Sequence, residues 1–243
     1  MDRALRFRQE EFCFFTPRSV FCCNAIFYLR EFVSCPICKK RRAERFCPAK
    51  AEKICAVCCG TEREVTIDCP PDCVYLLAAH RYEDRHPREL SPDTPLFDVR
   101  LTPDLVRIQA PFLSAIAFTI AKYCAGQPSV TDPDVLAALQ SLAESYRTLA
   151  AGLVYEHPPV APIQRGLYDA LSTFLSETKQ SPQQSPLGHP KNSEIFQLLV
   201  FLYRMGLLRA NRRPRSRRLI EFLRGQFPGA QELKREESRI ILP

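Results

Sequence analysis

The chain has 243 residues, of which 46% are hydrophobic and 25% are charged, a balance typical of a folded globular protein and not of a disordered chain. Its formal net charge of +7 permits an acidic partner such as nucleic acid without requiring one. The sequence contains 21 prolines, 8 glycines and no tryptophan, so we expect proline to set many of the helix boundaries.

The first 33 residues differ in character from the rest of the chain. They are rich in phenylalanine and show neither helical nor strand periodicity. Their apolar run is interrupted by Pro17, Arg18 and Asn24, so it is too short and broken to span a bilayer, and no signal-peptide cleavage site follows it. We predict an irregular N-terminal extension for residues 1–33. A gene start assigned too far upstream, with the protein beginning near Val33, would explain the break in composition.

Residues 34–86 hold eight of the twelve cysteines and predict a metal-binding domain. The cysteines are grouped at the spacing of metal ligands, which favours a reducing, cytoplasmic setting over a disulfide framework. Eight thiolates are enough to close two tetrahedral Zn²⁺ sites, and closed sites indicate a structural role for the metal. The candidate ligands are Cys35, Cys38, Cys47, Cys55, Cys58, Cys59, Cys69 and Cys73.

The eight ligands divide between two ions at the adjacent Cys58 and Cys59, which should point in different directions. The simplest division assigns one ion to Cys35, Cys38, Cys55 and Cys58, and the other to Cys47, Cys59, Cys69 and Cys73. An exchange of Cys55 with Cys59 is the main alternative, and His80 is a candidate replacement ligand in the second site. An iron–sulfur or redox centre is the rival interpretation, because it also uses cysteine ligands.

Short elements should surround these ligands. Alternating residues predict strands at 45–47 and 64–68, and a helix should run from Val74 to His80 with its positive N-terminal end near the thiolates. Two knuckles, a hairpin and a ligand-bearing helix start together predict a small double zinc finger of the treble-clef or cross-brace type.

The cysteine motifs resemble those of a family of uncharacterised bacterial proteins, which share this N-terminal module and a helical C-terminal region. The resemblance covers about residues 33–85, keeps all eight cysteines and implies no known activity. Lys39 stands where such knuckles often carry glycine. The motifs that carry the resemblance are Cys35-Pro-Ile-Cys38, Phe46-Cys-Pro-Ala49, Ile54-Cys-Ala-Val-Cys-Cys-Gly-Thr61 and Asp68-Cys-Pro-Pro-Asp-Cys-Val-Tyr-Leu76.

Beyond a proline-punctuated linker at residues 87–101, the chain reads as helical. Thr102 followed by Pro103 marks a helix start, and Pro111 should kink or divide that first helix. Apolar residues then recur at helical spacing up to about residue 226. Residues 102–243 are therefore predicted to form an all-α bundle of about five helices, which makes the fold mainly α.

Two basic clusters lie at residues 39–42 and 209–218. Arginine and lysine supply the salt-dependent part of nucleic-acid binding, but such clusters are also common on solvated surfaces and in loops that link helices. The candidate nucleic-acid contacts are Lys39, Lys40, Arg41, Arg42, Arg212, Arg213 and Arg215.

The sequence contains no recognisable catalytic motif, neither a Ser-His-Asp arrangement nor a zinc-protease, deaminase or phosphate-loop signature. It therefore predicts a non-enzymatic zinc-binding interaction protein whose partner is a protein or a nucleic acid, with no membrane and no small-molecule substrate in evidence. A nucleic-acid-binding regulator that uses both basic clusters is the alternative function. An enzyme with a pocket inside the bundle is a weaker third interpretation.

Overall fold

A computed structural model describes residues 33–180 and 189–228, and the extension predicted for residues 1–33 lies almost wholly outside this part of the chain. The described residues from Ser34 onward belong to one compact unit. The described residues are mainly helical, as predicted, and none of their helices is long and apolar enough to cross a membrane. The strands are β1 (Arg45–Cys47) and β2 (Glu52–Ile54), and the helices are α1 (Ala56–Glu62), α2 (Val74–Arg85), α3 (Pro103–Ile108), α4 (Ala110–Ala125), α5 (Asp132–Ala150), α6 (Pro162–Gln180), α7 (Asn192–Arg209) and α8 (Arg218–Gln226).

The finger, residues 34–86, contains an antiparallel hairpin of β1 and β2, in which Phe46 lies opposite Lys53. The strand predicted at residues 45–47 is confirmed, but the strand predicted at residues 64–68 is wrong. Glu64 has a left-handed φ of 53°, and the N–H groups of Val65, Thr66 and Ile67 all turn back to the Glu62 carbonyl, at 3.0–3.1 Å. The alternation of polar and apolar residues there reflects a tight turn that closes α1, and β2 is the second strand.

The helical region follows the predicted pattern closely. The first predicted helix divides into α3 and α4 at Gln109, with Pro111 in the first turn of α4, where its missing N–H costs nothing. The start of α5 is stabilised by Asp134, whose carboxylate accepts from the Thr131 N–H at 3.0 Å and from the Thr131 hydroxyl. Helices α5 to α8 are the remaining four helices that the sequence predicts.

The bundle has its own apolar core, in which α5 lies between α6 and α7. Each large aliphatic side chain buried there contributes about 1.5–3 kcal/mol to the free energy of unfolding. At Gly206 the helices approach so closely that an added Cβ would lie 2.8 Å from a Leu136 methyl carbon. The core includes Ile116, Ile120, Leu139, Leu142, Leu167, Leu171, Ile195, Leu199 and Leu219.

Asp132, at the start of α5, caps the start of α8. Its fully buried carboxylate accepts from the Leu219 N–H at 3.0 Å, the Ile220 N–H at 3.1 Å and the Ser216 hydroxyl at 2.7 Å. Burial raises the pKa of Asp132, and these three hydrogen bonds oppose the rise. A carboxylate at the positive end of α8 also complements the helix dipole, so this contact fixes two distant helix starts together.

The segment predicted as a linker, residues 87–101, is attached to the bundle. Leu96 is buried in the bundle core with a left-handed φ of 61°. The guanidinium of Arg204 on α7 donates to the carbonyls of Leu96, Phe97 and Val99, the last two at 2.8 and 2.7 Å. Arg204 therefore attaches this segment to α7, and Arg88 adds a hydrogen bond to the Asn211 carbonyl at 3.1 Å.

Candidate metal centre

Four cysteine sulfurs lie together in the finger. The Sγ atoms of Cys35, Cys38, Cys55 and Cys58 are all within 4.8 Å of one another, and those of Cys38 and Cys55 are 3.9 Å apart. Four thiolates bound tetrahedrally at a Zn–S distance of about 2.3 Å have sulfurs about 3.8 Å apart. The four thiols therefore fit one metal ion by both chemistry and spacing.

Two local structures bring these sulfurs together. In the first knuckle Lys39 takes a left-handed φ of 53°, and hydrogen bonds of 2.7 Å join Cys35 N–H to the Arg41 carbonyl and Lys39 N–H to the Cys35 carbonyl. Cys55 is the N-cap of α1, where its sulfur accepts from the Cys58 N–H at 3.3 Å. The knuckle and the first turn of α1 thus each contribute two ligands.

The pKa values of the thiols differ because their surroundings differ. Backbone N–H groups of Lys40 and Arg41 lower the pKa of Cys38 to about 6. Burial, together with the neighbouring thiols, raises the pKa of Cys58 to about 12. Four thiolates this close repel one another, and a bound divalent cation removes that repulsion and deprotonates the ligands outright.

The other four predicted ligands lie nearby but are not drawn together in the same way. Cys47, Cys59 and Cys73 are buried, and Cys69 is partly exposed. Within the described residues they supply no group of three ligand atoms at metal-binding distance. Burial raises the pKa of Cys69 to about 11, and the charges of Cys73, Glu64 and Cys47 add to the rise, which indicates that these groups are neighbours.

His80, a candidate replacement ligand, contacts Glu64. Its Nε2 lies 3.4 Å from the carboxylate oxygens of Glu64, and the Glu64 carboxylate also accepts from the Asn211 amide at 2.7 Å. Glu64 is only 3% exposed. Its burial acts to raise its pKa, but hydrogen bonds from His80 and Asn211 outweigh this effect and the pKa of Glu64 is lowered.

The second basic cluster lies between the finger and the bundle. Arg213, in the connection between α7 and α8, donates to the Gly60 carbonyl at 3.0 Å and to the Arg63 carbonyl, both at the C-terminal end of α1. A cation there complements the negative end of the helix dipole. Two further arginines of the cluster pair with finger carboxylates: Arg217 with Asp68 at 3.0 Å, and Arg218 with Glu83 at 3.2 Å and with Asp84.

These contacts separate the candidate nucleic-acid residues into two groups. Arg213 is half-buried against the finger, whereas Arg212 and Arg215 have exposed side chains on the same connection. Lys39, Lys40, Arg41 and Arg42 are all exposed, and the described residues provide no ion pair for them.

Sequence reasoning missed two residues of the interface between finger and bundle. Glu64 was assigned to a strand, and Asn211 was given no role. The sequence offered two signals. An acidic residue follows shortly after a helix that ends without a glycine cap, and a cluster of arginines lies far away in the chain. Neither feature identifies the partner, because the contact depends on how the finger and the bundle pack.

We compared the chain with protein-family models, with curated proteins and with solved structures, and none of the three comparisons finds a match. The candidate function therefore depends on the site itself.

Proposed function

We propose that the chain is a non-enzymatic, zinc-stabilised interaction protein of the reducing cytoplasm, in which a two-zinc finger is fixed to a helical bundle. The observation that carries the proposal is the group of four sulfurs within 4.8 Å of one another. Four cysteine ligands leave no open coordination position, so the ion would hold the finger together without performing chemistry. Each structural zinc would contribute on the order of 10 kcal/mol to the folding of its segment.

The order of local structures supports a treble-clef arrangement for the first site. A knuckle supplies Cys35 and Cys38, the β1–β2 hairpin follows, and the first turn of α1 supplies Cys55 and Cys58. In this arrangement each pair of ligands is carried by a short and locally rigid stretch of backbone. The ligand division with Cys55 in the first site is favoured over the exchange with Cys59, since Cys55 and not Cys59 lies in the sulfur group.

The second zinc would be held by Cys47, Cys59, Cys69 and Cys73. Cys59 follows Cys58 on α1, Cys73 is the N-cap of α2, and the positive N-terminal end of α2 favours a thiolate there. The charges of Cys47 and Cys73 that act on Cys69 support their proximity. Binding of the ion would draw the four sulfurs together, since thiolates without a cation repel one another.

Zinc is favoured over an iron–sulfur cluster at the first site. A cluster of several iron atoms holds its four thiolates further apart than a single ion does. The 3.9 Å between the Cys38 and Cys55 sulfurs is the spacing of a single tetrahedral ion.

Metal counting on variants tests the proposal. We would measure zinc and iron per chain by inductively coupled plasma mass spectrometry for the wild type, Cys38→Ser, Cys73→Ser and, as control, Cys124→Ala. Cys124 is a buried cysteine of α4 in the bundle core. We expect two zinc ions in the wild type and the control, and at most one in either ligand variant. One zinc in the wild type would contradict the second site, and iron would contradict the choice of metal.

A second candidate function is nucleic-acid binding through the finger. The observation that favours it is the set of exposed cations at residues 39–42, for which the described residues provide no ion pair. In contrast, Arg217 and Arg218 of the bundle pair with carboxylates of the finger. A protein partner is the other possibility for the interaction surface. Capture experiments with Cys55→Ser would separate finger-dependent partners from those that bind the bundle, because this substitution removes a ligand of the first site and unfolds the finger alone.

A further inference from the structure

The finger has two surfaces of opposite charge. Toward the bundle it presents carboxylates, and each of these is paired: Glu64 with Asn211 and His80, Asp68 with Arg217, and Glu83 and Asp84 with Arg218. Elsewhere the finger is basic. Between Ser34 and Ile54 there are seven lysine or arginine residues and only two carboxylates. No hydrogen bond or ion pair of the described residues joins this basic stretch to the bundle.

An exposed aromatic ring lies among these cations. Along β1 the side chains alternate: Cys47 is buried, Arg45 stacks on the Tyr75 ring at 4.7 Å, and Phe46 between them is 55% exposed. Phe46 lies directly opposite Lys53 in the hairpin. Arg42 precedes Phe46 by four residues on the same alternation, with Ala43 buried between exposed neighbours, and the exposed Glu44 between them is the one carboxylate on this alternation. Phe46, Lys53 and residues 39–42 are called the basic hairpin face below.

The combination of ring and cations distinguishes between ligands. Cations alone would suit any polyanion, including a duplex or an acidic protein segment. A ring left exposed beside them adds a stacking platform, and a base can use it only when that base is not already stacked in a duplex. The four thiolates and one Zn²⁺ of the first site leave a charge of −2 nearby, but three of the four cysteines are buried and the lysine and arginine side chains are exposed.

We propose that the basic hairpin face binds single-stranded nucleic acid, with Phe46 stacking on a base and residues 39–42 and Lys53 contacting phosphates. This inference rests on the second candidate function and narrows it to one surface of the finger and one form of nucleic acid. It excludes Arg213 and Arg217 from binding, because these two arginines hold the finger to the bundle.

Fluorescence anisotropy on the metal-loaded full chain tests the inference. The probes are a fluorescein-labelled oligo(dT) 12-mer, an oligo(U) 12-mer, a 12-base-pair DNA duplex and poly-glutamate, each titrated over a salt series. We expect the single strands to bind more tightly than the duplex and poly-glutamate. Phosphate contacts from the five cations of the basic hairpin face would give a slope of log K against log salt of about −3.5 for a single strand.

Two substitutions separate the ring from the charges. Phe46→Ala should weaken single-strand binding by about ten-fold to a hundred-fold without changing the salt slope, since stacking is not ionic. Lys39→Ala combined with Lys40→Ala should reduce the steepness of the slope by about 1.4. The matched controls are Phe97→Ala, a ring 42% exposed outside the finger, and Arg212→Gln, an exposed arginine outside the face.

Three results would overturn the inference: no single-strand binding at low salt, equal binding of the duplex or of poly-glutamate, or a Phe46→Ala effect no larger than that of Phe97→Ala. The zinc content of the same samples keeps this failure distinct from failure of the proposed metal function. A protein that carries its zinc but does not bind the single strand contradicts this inference alone.

Discussion

Arg213 connects the metal-ligating helix to the bundle. Its guanidinium donates to carbonyls at the C-terminal end of α1, and the opposite end of α1 supplies Cys55 and Cys58. A single side chain from the bundle therefore stabilises the helix that positions two sulfurs. This makes the metal site sensitive to a residue about 150 positions away in the chain.

We predict that Arg213→Gln lowers the free energy of unfolding by about 2 kcal/mol, because it removes charged donors from two carbonyls that have no replacement. It should also accelerate zinc transfer to a chromogenic chelator. Urea unfolding and the transfer rate are the measurements. Arg212→Gln is the control, because the exposed Arg212 side chain makes no hydrogen bond or ion pair with the described residues of the finger. Equal behaviour of the two variants would contradict the role assigned to Arg213.

The residues that were predictable from the sequence are those whose chemistry is local. Two cysteines three apart can bind one ion from a knuckle or from the first turn of a helix, so spacing gave the first ligand set as the simplest division, with the exchange of Cys55 and Cys59 left open. The pairing of Glu64 with Asn211 was not accessible, because it joins residues 147 apart and depends on packing. The prediction for residues 64–68 was wrong because their alternation of polar and apolar residues is also typical of a strand. In the structure, hydrogen bonds to Glu62 make them a turn.

At the scale of elements, the helices of the bundle were predictable because each combines an apolar face with a strong start signal. Thr131 and Asp132 begin α5, and the proline at 111 divides the first predicted helix. The attachment of residues 87–101 was not predictable, since prolines indicate a break in helix but do not show whether the segment packs. The segment packs through contacts of Leu96 and Arg204, and these contacts form only in the folded chain.

Alanine substitutions at two helical glycines should change the free energy of unfolding in opposite directions. At Gly206 on α7 a Cβ would lie 2.8 Å from a Leu136 methyl and 3.0 Å from a Leu219 methyl, so Gly206→Ala should lower the free energy of unfolding by about 1 kcal/mol after its helix-propensity gain. At Gly225 on α8 a Cβ meets nothing within 4 Å, so Gly225→Ala should raise it by about 0.5–1 kcal/mol. Chemical denaturation measures both, and shifts of the same sign would contradict the packing of α7 against α5 and α8.

At the scale of the whole molecule, the finger and the bundle differ in what holds them together. Among the buried residues of the finger's cluster only Ile54 and Ile67 are not cysteine, whereas the bundle has an extended aliphatic core. So small an apolar cluster is unlike the bundle core, and the proposed metal ions would supply the free energy that offsets the entropy of ordering the finger. We therefore expect the bundle to fold without metal.

Removal of zinc with a strong chelator should therefore unfold the finger and leave the bundle folded. We expect the far-ultraviolet circular dichroism to lose only the share of α1 and α2, which have 7 and 12 residues, and the remaining signal to melt cooperatively. The melting temperature should fall, because the contacts of Arg213, Arg217 and Arg218 with the finger are lost. Loss of all helical signal on chelation would show that the bundle depends on the metal and would contradict this division.

X-ray absorption spectroscopy at the zinc edge, on the protein as purified, tests the central claim most directly. The account predicts zinc bound by four sulfurs at about 2.3 Å, with no nitrogen or oxygen ligand. Absence of zinc, an iron edge in its place, or a coordination shell that contains nitrogen or oxygen would contradict it.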